Sequence, residues 1–518
     1  MKRSLIHLIL LLILLCPQAS QAGYKDLMDE FNAYTPPDYI ESRQYQSERV
    51  ADTSEPVASQ SSSFENELKH IKTISTDWRK ALTTADGKMP RFFSPEATLL
   101  NRYQGAASDN QIAFKAMRVA FDLPTLETLA WIRNPAIKSA EKDFSATVES
   151  FSQVANLDEI LRQYAAFTAS IQTGVGPMKG QEPLKTKFPF PGTVSLKGQI
   201  VQHETEAAWQ SLEAVRRDVI TAARKIYYDL VFIRKAQKIT ADTVNLFEDL
   251  EAVATRRYEA GQTSFQDVVK IQVKTMVLQE DLVTLKEEQR SIESRLIALL
   301  NIPPNKPIGY PAIVGNKRRR PQIEKLYPLA KNRRQEIRIK EAQLNKMQDV
   351  LEMAETMVLP AFTLNYSAFD NQAINSAGSS AKKTSFEISS SASRGAGLPQ
   401  NVWYGTNDAY VREIRQRVAS LEESLAKTKA ETANLIREGW FALDRARREK
   451  ALYQNNVVRL SKSALDVSTS GYESGNVSFA DVISSYELWL SSNLTLEKKR
   501  SEFHIAWARL EQTVGAQF

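Results

Sequence analysis

Two serine–aspartate pairs in this chain stand three residues apart, each behind a glycine: Gly261, Ser264 and Asp267, then Gly475, Ser478 and Asp481. A glycine is free to take positive φ and end a helix. A serine hydroxyl ahead of a helix satisfies one of its free N–H groups, and an acid at the third position complements its positive end. The primary reading of Asp267 and Asp481 is therefore helix capping. Multiplied around a symmetry axis, the same carboxylates would form an acidic ring of the kind that selects ions, so both are also gate candidates.

The pairs belong to one sentence written twice. Residues 258–268 read YEAGQTSFQDV and residues 472–482 read YESGNVSFADV, identical at seven of eleven positions and 214 residues apart. The spacing is far beyond a solenoid period of about 20–50 residues. It marks a domain copied once, with the two turns playing the same part.

Other chemistry finds little footing. His70, His203 and His504 are scattered, without metal-ligand spacing. No Gly-rich phosphate loop or nucleophile elbow is present, so neither an enzyme nor a cofactor or metal site is expected. Met347, Met353 and Met357 read as packing. Lys317-Arg318-Arg319-Arg320 reads as a solvated linker, with anionic lipid or cell-wall polymer as the alternative contact.

Lys2-Arg3, the apolar run Leu8–Leu15 and Ser20-Gln21-Ala22 form a secretory signal peptide over residues 1–22. The only cysteine, Cys16, lies inside it; Leu14-Leu15 before it and Pro17 after it do not favour lipidation. Cleavage after Ala22 leaves no thiol for disulfides or metal. The net charge of +6 then falls to +4, and export argues against nucleic acid as a partner. No stretch of about 18 apolar residues follows. The mature chain is either soluble outside the cytoplasm or crosses a membrane as strands.

Five segments follow: the signal peptide, a polar arm over 23–122 with a short helix near Phe64 to Leu82, repeat one over 123–301, a basic linker over 302–331, and repeat two over 332–518. Each repeat reads as a helix, two short strands and two long helical arms. The strand segments are Ala169–Val175 and Phe188–Leu196, then Ala361–Phe369 and Thr384–Ala392. Each is about the length that a tilted strand needs to cross a bilayer. On pattern alone they equally suit half-buried soluble hairpins.

The arms are clearer. Val268, Ile271, Thr275, Leu278, Leu282, Leu285, Gln289, Ile292, Leu296 and Leu299 recur at steps of three and four, a left-handed coiled-coil seam. Phe479, Val482, Tyr486, Trp489, Asn493, Leu496, Arg500, Phe503, Trp507, Leu510 and Val514 form the second. Gln199 to Arg257 holds no proline and would span roughly 90 Å as a helix. Each copy of the sentence then joins two antiparallel arms.

At this point the chain resembles the TolC-like outer-membrane efflux proteins, from about Leu123 to Val514. The residues that carry the resemblance are Asn134-Pro135-Ala136-Ile137, the doubled Tyr-Glu-x-Gly-x-x-Ser-Phe-x-Asp-Val turn and Leu299-Leu300-Asn301-Ile302-Pro303-Pro304. The resemblance implies a mainly α fold with a small β part: four strands per protomer in a trimeric twelve-stranded barrel, and coiled-coil hairpins in an α-helical tunnel. It implies a homotrimer in the outer membrane with a periplasmic extension, in contact with outer-membrane lipid, a periplasmic adaptor (membrane fusion protein) and an inner-membrane pump. Gly261, Thr263, Ser264, Gly475, Val477 and Ser478 would be the adaptor-docking tips, and Asp481 would lie near the constriction. Ser484 stands where some relatives carry a second acid, and the arm before Leu123 is longer than the family's. The expected function is a passive exit duct of a tripartite efflux or type I secretion system. The alternative is a periplasmic coiled-coil adaptor or spacer outside the membrane.

Overall fold

A computed structural model describes residues 57–83, 90–151, 184–188, 193–261, 263–304, 308–312, 321–356, 362–369, 387–394, 404–474 and 476–518. The signal segment, the strand expected at Ala169–Val175, Gln262, Gly475 and the Lys317–Arg320 cluster lie outside these residues. The described residues form two compact units. One lies within Met1–Asp77, Glu149–Glu204 and Gln343–Glu422, the other within Trp78–Val148, Thr205–Ala342 and Glu423–Phe518.

The first unit contains a three-stranded antiparallel sheet in the order β2-β4-β5, with β2 Leu184–Phe188, β4 Phe362–Phe369 and β5 Glu387–Arg394. Leu184 pairs with Tyr366 and Phe188 with Phe362; Phe362 pairs in turn with Arg394 and Phe369 with Glu387. A strand from repeat one thus adds to a hairpin from repeat two. The alternation at 361–369 is recovered almost in place, and the next strand begins later than expected. The strand expected over Phe188–Leu196 is corrected: β2 ends at Phe188, and helix begins at Thr193. Pro189 and Pro191, which cannot donate to a ladder, end the strand.

The second unit is helical. Helix α1, Val57–Thr83, is longer than the one expected near Phe64 to Leu82, and the unit takes it up from Trp78. Trp78, Phe144 and Trp209 meet in an aromatic knot, with ring centroids 5.3–6.2 Å apart. Beyond Pro90 the chain forms α2 Ala97–Tyr103, a 3-10 turn over Gln104–Ala107, α3 Asn110–Met117 and β1 Ala120–Phe121. Tyr103, Ala113, Phe114, Met117 and Phe121 enter the same core as Leu126, Leu129, Ile226, Leu230 and Leu296. Strand β1 pairs in parallel with β3, Tyr310–Pro311. Gly309 is required there, because a Cβ would sit 2.4 Å from the Val119 carbonyl oxygen.

Repeat one opens on the eleven-residue helix α4 Leu123–Arg133, followed by the helical residues 135–151 (α5); its counterpart α8, Ile323–Arg333, lies almost wholly in the segment expected as a linker over 302–331, so the second copy begins earlier than residue 332. The Asp122 carboxylate accepts from Thr125 N–H at 3.0 Å and Pro124 fills the first turn, which starts α4. Asn134 then accepts from the N–H of Ala136 at 2.9 Å and donates to the Leu299 carbonyl at 2.8 Å. It starts one helix while tying it to the end of another. Helix α9, Gln335–Thr356, follows α8 in the same way.

The arms are α6 Thr193–Glu259 and α7 Phe265–Leu300 in repeat one. In repeat two they are α10 Tyr404–Leu452, a π segment Tyr453–Val457, α11 Val458–Glu473 and α12 Phe479–Val514. Both seams hold. Val268, Ile271, Thr275, Leu278, Ile292 and Leu296 are buried, with Leu300 rather than Leu299 at the end. In α12 a second face is buried as well, through Ile483, Leu490 and Ser492. Among the described residues no helix is long and apolar enough to cross a membrane.

Three buried arginines on α6 fix the arms to the opening helices. Arg224 reaches Glu127 at 2.5 Å and Glu511 at 2.6 Å, all three nearly inaccessible. Arg216 pairs with Glu213 and Glu141 and lies 4.3 Å from the centre of the Trp131 ring. Arg217 holds Glu336 at 2.8 Å. Burial works against the Glu336 charge, but the hydrogen bonds and charge of Arg217, joined by Arg334, outweigh it and hold the carboxyl below its ordinary value.

Candidate functional site: the two hairpin tips

The turn after α6 is built from backbone bonds and one left-handed residue. The N–H of Ala260 donates to Arg256 at 3.1 Å and that of Gly261 to Tyr258 at 2.9 Å. Gly261 has φ +71°, as expected of a residue that ends a helix, and open space where a Cβ would be. Ser264 then starts α7 with extended backbone, but its side chain makes no capping bond to the backbone. Instead the Thr263 and Ser264 hydroxyls both donate to Asp267 Oδ2, at 2.9 and 3.1 Å. The capping box expected there is replaced by a hydroxyl–carboxylate clasp.

The second tip keeps the serine and aspartate but closes differently. Ser478 Oγ accepts from the Asp481 N–H at 3.3 Å and donates to Asp481 Oδ2 at 2.7 Å, so here the serine cap is formed. Val477, in the place of Thr263, has no hydroxyl to offer. It folds onto Gly471, where a Cβ would lie 2.4 Å from Val477 Cγ2. The Gly471 carbonyl accepts from both Asn476 and Val477, at 2.8 and 3.1 Å. Asp267 is half-buried with two hydroxyl donors; Asp481 is exposed with one. Gly475 lies outside the described residues.

Beside each turn two aromatic rings meet across the hairpin. Tyr258 and Phe265 are 5.4 Å apart, Tyr472 and Phe479 5.0 Å, with interplanar angles of 49° and 50°. These four residues were visible in the repeated sentence, although their pairing was not. Links between the hairpins carried no sequence signal: Arg257 lies 4.5 Å from the centre of the Tyr472 ring, and Lys274 pairs with Glu487 at 2.9 Å. A shared cluster of Val244, Phe247, Ile271, Leu278, Phe479, Ile483 and Leu490 backs them.

The remaining candidates do not converge on these tips. His203 lies 3.4 Å from Asp349, and His504 stacks on Tyr228 at 4.4 Å. Among the described residues no group of His, Cys, Asp and Glu is arranged to hold a metal.

Residues 326–516 match the family described as outer membrane efflux protein. No curated protein sequence matches the chain. Among solved structures, the fold is similar to the outer membrane protein VceC of Vibrio cholerae: TM-score 0.55, 15% identity, covering 82% of this chain and 100% of that one. It is also similar to the CmeC outer membrane channel of Campylobacter jejuni, with TM-score 0.54, 13% identity and coverage of 76% and 85%. A third is the open state of the MtrE outer membrane channel of Neisseria gonorrhoeae, with TM-score 0.54, 15% identity and coverage of 76% and 89%. Over residues 326–516 the chain is thus similar to the outer membrane efflux protein family, and its fold is that of the outer membrane proteins VceC, CmeC and MtrE.

Proposed function

We propose that this protein is a passive exit duct of the outer membrane, working in a tripartite efflux or type I secretion system. The observation that carries the reading is the joining of strands from both repeats into one sheet, in a chain whose repeats each end in a long hairpin. Eight residues of β4 or β5 extend roughly 26 Å, which suits a tilted membrane strand. Three or four strands cannot close on themselves, since small barrels need about eight. Closure therefore calls for several copies, and the homotrimer implied by the family pattern would supply them.

In this reading the strands sit in the outer membrane in contact with its lipid, and the hairpins line a periplasmic passage. An inner-membrane pump supplies the energy. A periplasmic adaptor docks at Gly261, Thr263, Ser264, Gly475, Val477 and Ser478, with Asp267 and Asp481 as the gate carboxylates. The unequal closure of the two tips supports docking surfaces of two kinds. Membrane fractionation tests the reading: the protein should stay with the outer membrane after carbonate washing and leave it in detergent as a trimer. A folded monomer in a detergent-free periplasmic extract would instead support the soluble spacer.

A further inference from the structure

The register of the three-stranded sheet sorts its residues onto two faces. Directly opposed residues of an antiparallel pair share a face, and successive residues alternate between faces. One face carries Phe362, Leu364, Tyr366 and Ala368 of β4. Its partners in the flanking strands include Leu184, Phe188, Ile388 and Ala392. Thr186, Ser390 and, at the end of β5, Arg394 are the exceptions. This is the face that suits lipid.

The opposite face is polar. Its rows are Lys187–Thr363–Ser393, Lys185–Asn365–Ser391 and Ser367–Ser389, and it ends at Phe369–Glu387. In a closed barrel whose apolar face meets lipid, this second face lines the passage. The two lysine rows bring together two cationic residues, three hydroxyl residues and one amide residue, and no carboxylate. Among the described residues the one acid on this face is Glu387. It stands level with Phe369, four positions beyond Asn365, or roughly 13 Å along the strand.

The rows also have a place along the chain path. Strand β2 ends at Phe188 and α6 begins at Thr193; α9 ends at Thr356 and β4 begins at Phe362. The lysine rows thus lie at the end of the sheet that connects to helices, and Glu387 lies at the other end. A closed ring of twelve tilted strands is roughly 24 Å across, a radius of about 12 Å. Charge is screened over about 8 Å at physiological ionic strength. The field of two lysines from every copy therefore reaches well into the passage. A passage this wide leaves the sorting of small single ions to a narrower section. Attraction grows with charge, so the lysine rows act on multivalent anions. Their sign is opposite to that of the gate carboxylates Asp267 and Asp481. An anionic cargo beyond the tips is repelled from behind and drawn ahead.

We propose that Lys185 and Lys187, with the Thr363, Asn365, Ser391 and Ser393 positions beside them, form a basic ring inside the barrel that binds multivalent anions. The cargo class it fits is small organic molecules carrying several carboxylate, phosphate or sulfonate groups. The proposal rests on the reading of the chain as a duct. Inorganic tripolyphosphate is the probe, applied to the full-length protein in a planar bilayer. Among the described residues no helix is apolar enough to cross a membrane, so the hairpins stay in the chamber of addition and the barrel opens to the other. Tripolyphosphate on the barrel side should reduce the conductance at concentrations at least tenfold lower than on the hairpin side. Lys185→Gln with Lys187→Gln should raise the half-blocking concentration at least tenfold. Lys185→Arg with Lys187→Arg should leave it within threefold. Equal block from both sides of the unmodified protein, or block unchanged in the glutamine variant, would overturn the proposal. If the glutamine variant does not reach the membrane, the sidedness of the unmodified protein decides. Absence of any conductance from trimeric protein would instead overturn the duct reading beneath it.

Discussion

Asn301 and Gly515 stand 214 residues apart and close two helices of equal length with left-handed backbone, φ 48° and 77°. The duplication is thus preserved down to the dihedral angles that end each arm. The two sites differ in what surrounds them. A Cβ on Gly515 would lie 2.6 Å from the Arg334 Cα and 2.9 Å from the Arg333 carbonyl oxygen. Gly515→Ala should cost about 1–3 kcal/mol through combined strain and crowding. Asn301→Gly should change stability by less than about 1 kcal/mol. Thermal unfolding of the detergent-solubilised protein checks both.

Arg224 joins the opening helix of repeat one, through Glu127, to the last arm of repeat two, through Glu511. Glu511 also accepts from the Trp507 indole N–H at 2.9 Å. Arg224→Met would leave two carboxylates buried without their cation, a loss of about 3–5 kcal/mol. Adding Glu127→Gln and Glu511→Gln should recover a large part of it. A denaturant midpoint for the single and triple variants measures the difference.

Glu336 gives the stability an acid limb. Its carboxyl is held below the ordinary value of 4.5 because the bonds and charge of Arg217 and Arg334 outweigh the burial that opposes its charge. A depressed carboxyl contributes stability that is present above its unfolded value and is lost as pH falls through the folded one. Stability should therefore decline on acidification below about pH 4.5. Glu336→Gln should be less stable at neutral pH and show a shallower decline, as melting temperatures across pH 3–7 would reveal.

At the first tip, Gly261→Val meets no atom but forces a β-branched residue to positive φ. Efflux should fall while the amount of protein in the outer membrane stays unchanged. Thr263→Val, which copies the second tip at Val477, should remove one of two hydroxyls from Asp267 and impair efflux less. Minimum inhibitory concentrations beside membrane protein levels report the outcome; loss of membrane protein in Gly261→Val would reassign this glycine to assembly.

The sequence carried the duplication, the coiled arms and the serine–aspartate turns because each is local or periodic. Gly261 could be assigned positive φ from its place between two arms, and Val268, Ile271, Thr275, Leu278, Ile292 and Leu296 showed their burial by spacing alone, whereas Leu282, Leu285 and Gln289 on the same spacing are only half-buried. Strand limits were less legible: Phe188–Leu196 alternates, yet two prolines end the ladder at its first residue and helix takes over at Thr193. The buried arginines were not legible at all. Arg224 meets residues 97 and 287 positions away, and no short-range pattern distinguishes it from a solvated helix cation. Phe265 and Phe479 were identical in the sequence, and only packing shows one buried and the other open.

The most direct test of the duct is single-channel recording of the protein purified from the outer membrane and placed in a planar bilayer. The account predicts discrete conductance steps with cation preference, and in Asp481→Ala a larger conductance or a weaker preference. Absence of any conductance from correctly trimeric protein, alone or with its adaptor, would contradict it.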